Sequence, residues 1–82
     1  MKEITVTVKF KEGLHARPAT KLVKTASSMK SSIMLEKNGK KIAANSIMAV
    51  LGACIVYGDQ IIVRAEGEDE EDAIQAMQEY FA

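Results

Sequence analysis

The only histidine of this chain stands where an anionic group could be bound or captured covalently. It lies in the segment Gly13-Leu14-His15-Ala16-Arg17-Pro18. Gly13 permits a tight approach into a helix, and Pro18 suits a first helical turn, where a missing N–H costs nothing. Such a turn presents free backbone N–H groups that bind anions, and the Arg17 guanidinium can hydrogen-bond phosphate oxygens. A neutral imidazole is a nucleophile near pH 7, so the segment fits either a phosphoryl acceptor at His15 or a histidine that only caps the helix.

A second candidate for chemistry is Ser46, which follows Asn45 at the start of an apolar run. Asn and Ser are favoured N-cap residues, so these two residues predict a short helix over about residues 47–53. A phosphate on the Ser46 hydroxyl would carry roughly −1.5 to −2 charges and would be favoured by the helix dipole. It would change the surface charge without unfolding the helix. The alternative is an unmodified N-cap serine.

Periodicity predicts the elements that position these residues. Ile4, Val6, Val8 and Phe10 alternate with polar residues, which is typical of a half-buried strand. Helical spacing predicts helices from residue 16 to about 28 and at the C-terminus, where Ala73, Ile74, Met77 and Phe81 form the apolar stripe. Residues 31–37, 40–43 and 60–66 are predicted strands, and Asn38-Gly39 is a strong hairpin signal. The order is strand, helix, strand, strand, short helix, strand, helix, which favours an α+β fold with an antiparallel sheet and helices on one face.

Composition restricts the class of protein. The 82 residues suffice for one domain, 1–82, and the apolar share of 48% argues against disorder. Residues 1–41 carry ten basic and three acidic residues, whereas residues 42–82 carry one basic and eight acidic residues. The basic half would suit nucleic acid, phosphate or an acidic protein surface, although two solvated faces of one domain are the simpler interpretation. No signal-peptide or membrane-spanning pattern occurs, so we expect a cytoplasmic protein without membrane insertion.

The single cysteine, Cys54, excludes an intramolecular disulfide, which fits a reducing compartment. We interpret Cys54 as a small core residue, because helical spacing places it on one buried stripe with Ile47, Val50 and Leu51. No metal-ligand spacing occurs, and neither a metal nor a cofactor is expected. A metal-carrying module of similar order would need paired cysteines near the first loop, and Cys54 is far from it. An RNA-binding sheet would need surface aromatics on its strands, and the four aromatic residues are too few and wrongly placed, so no direct nucleic-acid partner is expected. A small-molecule-binding regulatory domain would leave segment 13–19 unexplained.

The segment Gly13-Leu14-His15-Ala16-Arg17-Pro18-Ala19 resembles the signature of the histidine-containing phosphocarrier proteins, HPr. Asn45-Ser46-Ile47-Met48 resembles the family's regulatory serine site. The hairpin Asn38-Gly39-Lys40-Lys41 and the segment Gly67-Glu68-Asp69-Glu70 also fit, so the resemblance covers essentially the whole chain. It implies an open-faced β-sandwich of βαββαβα order, in which three helices cover one face of a four-stranded antiparallel sheet.

The resemblance also implies a mechanism in the sugar phosphotransferase system. His15 would accept a phosphoryl group at Nδ1 from phosphorylated enzyme I, whose donor is phosphoenolpyruvate, and would pass it to a histidine of sugar-specific enzyme IIA domains. Arg17 would stabilise the phosphate and help dock partners. The chain would be a stoichiometric carrier, not an enzyme. We expect a monomer, with exchange of the first strand between chains as the alternative.

In relatives from low-GC Gram-positive bacteria, a kinase (HPr kinase/phosphorylase) phosphorylates the serine at position 46, and the product acts with catabolite control protein A. Asn45 stands where a lysine is common, which removes a charge beside Ser46. The alternative is therefore a paralogue that serves a dedicated transfer system or acts mainly in catabolite repression. The intact His15 counts against a purely regulatory role, since the catabolite-repression homologue typically has a non-phosphorylatable residue at that position.

The resemblance further implies a partner-binding surface beside His15. Further candidates on the first helix are Thr20, Lys21 and Lys24, whose lysines would steer an acidic partner; the alternative is a solvated helix surface. The members that the resemblance gives on the short helix are Ile47, Met48 and Leu51, and an apolar patch beside a reactive site is usually an interface. This conflicts with the buried stripe above. We favour the interface for Ile47 and Met48 and the core for Val50, while Leu51 fits either.

Overall fold

The computed structural model describes residues 2–11, 13 and 16–81, with the side chains of all of these except residues 16 and 17. Seven elements follow one another along these residues: β1 (Lys2–Thr7), α1 (Ala16–Ser27), β2 (Ser32–Lys37), β3 (Lys40–Ala43), α2 (Ile47–Gly52), β4 (Gln60–Glu66) and α3 (Glu70–Phe81). This is the order that the periodicity predicts. The element boundaries differ from the prediction by a residue or two, except at the end of β1.

The strands form one antiparallel sheet in the order β1-β4-β2-β3. Its register places Val63 of β4 opposite Ile4 of β1 and opposite Leu35 of β2. These positions belong to the face that packs against the three helices. Because successive side chains of a strand point to opposite faces, Arg64 lies on the open face, between Glu3 and Glu36 of the neighbouring strands. The α+β open-faced sandwich predicted from the sequence is confirmed.

The core lies between the sheet and the helices. Leu22 of α1, Val50 of α2 and Met77 of α3 are fully buried there. The sheet contributes apolar residues at alternate positions, and those that are buried are Ile33, Leu35, Ile42, Ile61, Val63 and Ala65. The core thus fixes how each helix sits on the sheet, including the helix that begins directly after His15.

The Asn38-Gly39 turn has the predicted form, since both residues have positive φ, 52° and 82°. The end of the first strand differs from the prediction. β1 stops at Thr7, although Val8 is fully buried. The backbone of Val8 instead exchanges hydrogen bonds with the turn before β4, because its N–H donates to Asp59 O (2.9 Å) and its C=O accepts from Gly58 N–H (2.8 Å).

Candidate functional site

The structure describes α1, the helix into which the acceptor segment, residues 13–17, continues. α1 begins at Ala16 and contains Pro18 in its first turn, as predicted. His15 and the side chain of Arg17 lie outside the described residues. The first turn of α1 directly follows position 15, and the first N–H groups of a helix have no partner within the helix, which is what anion binding needs.

The backbone conformation and the space at position 13, just before this helix, require a glycine. Its φ is +73°, and its N–H donates to the Phe10 carbonyl (2.9 Å). A β-carbon at position 13 would lie 2.5 Å from the Ile55 carbonyl oxygen and 3.0 Å from Val56 Cα. Both distances are shorter than ordinary van der Waals contact. Gly13, two residues before His15, therefore lies directly against the loop of residues 53–59, which joins α2 to β4.

Lys37 holds this 53–59 loop in place. Its Nζ donates to the Cys54 carbonyl (2.7 Å) and pairs with Asp59 Oδ2 (2.7 Å). The same carboxylate oxygen accepts a hydrogen bond from Val56 N–H (2.9 Å). The hydrogen bond from Lys37, followed by that from Val56, holds the pKa of Asp59 below its ordinary value. Sequence reasoning missed this cluster of Lys37, Asp59 and the loop backbone.

Cys54 is not a core residue, and that prediction is wrong. Its side chain is exposed and its φ is +53°. The helical period that placed it on a buried stripe ends with α2 at Gly52. The backbone carbonyl of Cys54 instead accepts the hydrogen bond from Lys37 Nζ.

The short helix α2 divides its apolar residues between the core and the surface. Val50 is fully buried, as predicted, whereas Met48 is 78% and Leu51 is 41% exposed. Leu51, which the sequence left open, therefore belongs to the surface, and Ile47 is half-buried against the core. The next loop adds two exposed side chains that sequence reasoning missed, Val56 at 52% and Tyr57 at 63%. Large apolar side chains are thus concentrated on this part of the surface.

Ser46 is the N-cap of α2, as predicted. It has extended backbone angles, φ −118° and ψ 112°, and its Oγ accepts a hydrogen bond from Ala49 N–H (3.3 Å). Its side chain is half-buried. The hydroxyl thus lies at the end of the helix that exposes Met48.

The predicted partner residues of α1 lie on its surface. Thr20, Lys21 and Lys24 are all exposed. Because α1 packs against α2, these residues and Met48 belong to neighbouring helices of one layer. Among the residues that the structure describes, no three His, Cys, Asp or Glu side chains meet as metal ligands, and no helix is long and apolar enough to cross a membrane.

The architecture and the motif can be compared with known proteins. The family model for the PTS HPr component phosphorylation site matches residues 2–82. The chain belongs to the HPr family. HPr-C-His of Thermoanaerobacter tengcongensis is 46% identical in a solved structure that superposes with a TM-score of 0.95, covering 99% of this chain and 91% of the other. The family named from the sequence is thereby confirmed.

Two further relatives bear on regulation and assembly. The HPr-like protein Crh of Bacillus subtilis is 40% identical over 75 residues, which cover 92% of this chain and 88% of Crh. A structure of an HPr dimer from Thermoanaerobacter tengcongensis is 44% identical with a TM-score of 0.74, covering 100% of this chain and 99% of the other. Since solved relatives include a dimer, the expectation that this HPr-family chain is a monomer stays a prediction.

Proposed function

We propose that this HPr-family chain carries a phosphoryl group on His15 in the phosphoenolpyruvate-dependent sugar phosphotransferase system. The observation that carries the proposal is the family match over residues 2–82, within which segment 13–19 retains its histidine and arginine. The structure supports it with a helix that begins at Ala16, directly after the acceptor. The chain acts in the cytoplasm as a stoichiometric carrier between enzyme I and sugar-specific enzyme IIA domains.

The transfer step exchanges one P–N bond for another. A ring nitrogen of neutral His15 attacks the phosphorus of the phosphohistidine on enzyme I; the new P–N bond forms as the old one breaks, and the enzyme I imidazole leaves with its electron pair. Free N–H groups of the first turn of α1, together with Arg17, offset the charge of the phosphoryl oxygens. The second transfer, to a histidine of enzyme IIA, repeats this exchange with His15 as the leaving group.

We assign the docking of enzyme I and of enzyme IIA to exposed residues of α1 and α2. Lys21 and Lys24 on α1, with Thr20 between them and His15, attract an acidic partner. Met48 and Leu51 on α2, with Ile47 at their edge, provide the apolar part of the surface. A partner that covers both helices would bury apolar side chains and neutralise lysines in one contact.

Phosphorylation by enzyme I and phosphoenolpyruvate, measured by intact mass at mildly alkaline pH, tests the proposal. We expect one phosphate on the wild type and on Ser46→Ala, and none on His15→Ala. A wild-type mass that does not change, with the protein folded and a control carrier labelled in the same mixture, would contradict the proposal. A phosphate that persists in His15→Ala would contradict the assignment of the acceptor.

A regulatory function through Ser46 is a second candidate, favoured by the N-cap geometry and by the similarity to Crh. An added phosphate would sit at the positive end of α2, so the helix would persist while the docking surface gained negative charge. HPr kinase/phosphorylase and catabolite control protein A are the partners of this function. Incubation with the kinase and ATP should add a phosphate to His15→Ala and none to Ser46→Ala, and an unmodified His15→Ala protein would oppose the regulatory function.

Ser46→Ala has a structural cost that this comparison must include. Loss of the N-cap bond to Ala49 N–H is expected to lower the free energy of unfolding by about 1 kcal/mol. Ser46→Thr retains a capping hydroxyl and is the matched control. If Ser46→Ala is folded to the same extent as Ser46→Thr at the assay temperature, a missing phosphate reports the missing hydroxyl.

A further inference from the structure

The segment that contains His15 is tied to α3 on both of its sides. Before it, the ring of Phe10 lies against Tyr80, with 5.3 Å between the ring centroids. After it, the Pro18 carbonyl accepts a hydrogen bond from the Tyr80 hydroxyl. One side chain of the C-terminal helix therefore contacts the chain on each side of the acceptor segment.

Several contacts make Tyr80 a rigid support. Its ring packs edge-on against Phe81, with 5.0 Å between the centroids, and Phe81 is buried in the core. Its side chain lines a groove of about 560 Å³ between α1 and α3, together with Phe10, Pro18 and Lys21. A ring that is fixed on two sides can direct its hydroxyl to one acceptor with little further loss of entropy.

The Tyr80 hydroxyl contacts α1 in its first turn, which directly follows His15. Pro18 belongs to the first turn of α1, whose free N–H groups are those available to an anion. Proline lacks an N–H, so its carbonyl is the only backbone hydrogen-bonding group at this position. A bond from α3 to that carbonyl resists rotation of the first turn. Half-burial raises the pKa of Tyr80 to about 12, so the hydroxyl keeps its proton at every pH at which the carrier would work.

We propose that Tyr80 is a positioning residue for phosphoryl transfer at His15, acting through its hydrogen bond to the Pro18 carbonyl. The bond fixes the first turn of α1 and hence the direction from which its N–H groups meet a phosphoryl group on His15. Tyr80 itself does not touch the phosphoryl group. This inference rests on the proposed carrier function and adds to it a contact that spans 62 positions of the chain.

Tyr80→Phe removes the hydroxyl and leaves the ring that packs on Phe10 and Phe81. A misplacement of about 1 Å can cost about 100-fold in a reaction rate. The packed ring limits the movement of the turn to less than that, so we expect transfer from enzyme I to slow by about three- to tenfold. The phosphorylated form should also lose its phosphate faster, because the N–H groups no longer meet it in a fixed geometry.

Two matched variants separate positioning from other effects. Tyr57→Phe removes the other tyrosine hydroxyl of the chain, on an exposed side chain with no described bond to α1. Ile33→Val removes one buried methyl group from the sheet side of the core and is the control for a general loss of stability. All three variants are compared with the wild type at a temperature at which each is fully folded.

The experiment uses two readouts that do not require enzyme I. The first is the imidazole pKa of His15 in the unmodified protein, followed by NMR. The second is the half-life of phosphohistidine after loading with phosphoramidate, a small chemical phosphoryl donor. We expect Tyr80→Phe to raise the imidazole pKa of His15 relative to the wild type, because an ordered helix N-terminus disfavours a positive charge beside it, and to shorten the half-life at least about twofold. Tyr57→Phe and Ile33→Val should match the wild type in both.

A Tyr80→Phe protein that matches the wild type in the His15 pKa and in the half-life overturns the proposal. So does one that differs no more than Ile33→Val, since the effect would then be general destabilisation. The transfer rate from enzyme I is measured separately. A wild type that enzyme I leaves unmodified contradicts the carrier function, while the pKa shift in Tyr80→Phe still decides whether Tyr80 positions the turn.

Discussion

Substitution of Gly13 by alanine offers a sharp test of how the acceptor segment rests on the 53–59 loop. The substitution imposes two penalties, a left-handed backbone on a residue with a side chain and a collision with the Ile55 carbonyl at 2.5 Å. Gly58 provides a matched control. Its φ is +88°, close to the +73° of Gly13, but an added β-carbon meets nothing within 4 Å. Gly58→Ala therefore carries only the first penalty.

The magnitudes follow from these two environments. A left-handed conformation costs an alanine about 1–2 kcal/mol, which is the whole expected loss for Gly58→Ala. At Gly13 the atoms in the way belong to the backbone of Ile55 and Val56, so they cannot rotate aside, and overpacking adds about 1–3 kcal/mol. We expect Gly13→Ala to lose about 2–5 kcal/mol in total. A chain of 82 residues has a total stability of about 4–12 kcal/mol, so this loss is a large share of it.

Urea unfolding followed by circular dichroism measures both losses. The slope of the free energy against urea concentration should stay the same in the wild type and both variants, so that midpoints can be compared. We expect Gly13→Ala to be less stable than Gly58→Ala by at least about 1 kcal/mol. Equal losses, within about 0.5 kcal/mol, would show that the loop moves away from Gly13 at no cost, and the close contact would then have no role in placing the acceptor segment.

Three further outcomes are expected from single side chains. The pKa of Tyr80 is raised to about 12, so its protonated form stabilises the folded state below pH 10. In urea titrations, the wild type should lose this stabilisation as the pH rises from 10 to 12, whereas Tyr80→Phe should not show this loss. Hydrogen bonds from the Ser31 hydroxyl and from backbone N–H groups lower the pKa of Asp69 from 3.8. The ionised carboxylate therefore stabilises the folded state fully above that pH, and this stabilisation is lost as the pH falls below it. Acid unfolding of Asp69→Asn should show a weaker dependence on pH in this range. Val50→Ala should cost about 2 kcal/mol because Val50 is fully buried, whereas Met48→Ala, 78% exposed, should change thermal stability by no more than about 0.5 kcal/mol; comparable losses would contradict the division of α2 between core and surface.

Local signals in the sequence were sufficient to predict the type and order of the helices and strands. Asn38-Gly39 predicts the hairpin because positive φ at two successive residues is costly for other pairs. Ser46 predicts the start of α2 because its hydroxyl needs only the N–H of a residue three positions later. Burial of Val50 and exposure of Met48 follow from helical spacing once the resemblance indicates which side faces a partner.

Local signals could not predict the contacts that hold the candidate site together, because these contacts join residues far apart in the sequence. The Tyr80 hydroxyl finds the Pro18 carbonyl 62 positions away, and no spacing rule relates the two. Lys37 reaches the Cys54 carbonyl only because β2 and the 53–59 loop meet in the fold. Cys54 was misplaced for a related reason, since a helical period does not show where a helix stops, and α2 ends at a glycine two residues earlier.

The position of β4 in the sheet has a consequence for the time course of folding. β1 at one end of the chain pairs with β4, which spans residues 60–66, while the β2–β3 hairpin is local. Non-local pairings must meet the entropy of closing a long loop before they gain any contacts, so they form slowly. We expect the hairpin to form early and β1 to join last, after β4 has docked on β2. During synthesis, the first strand of this sheet to leave the ribosome would therefore be the last to enter it.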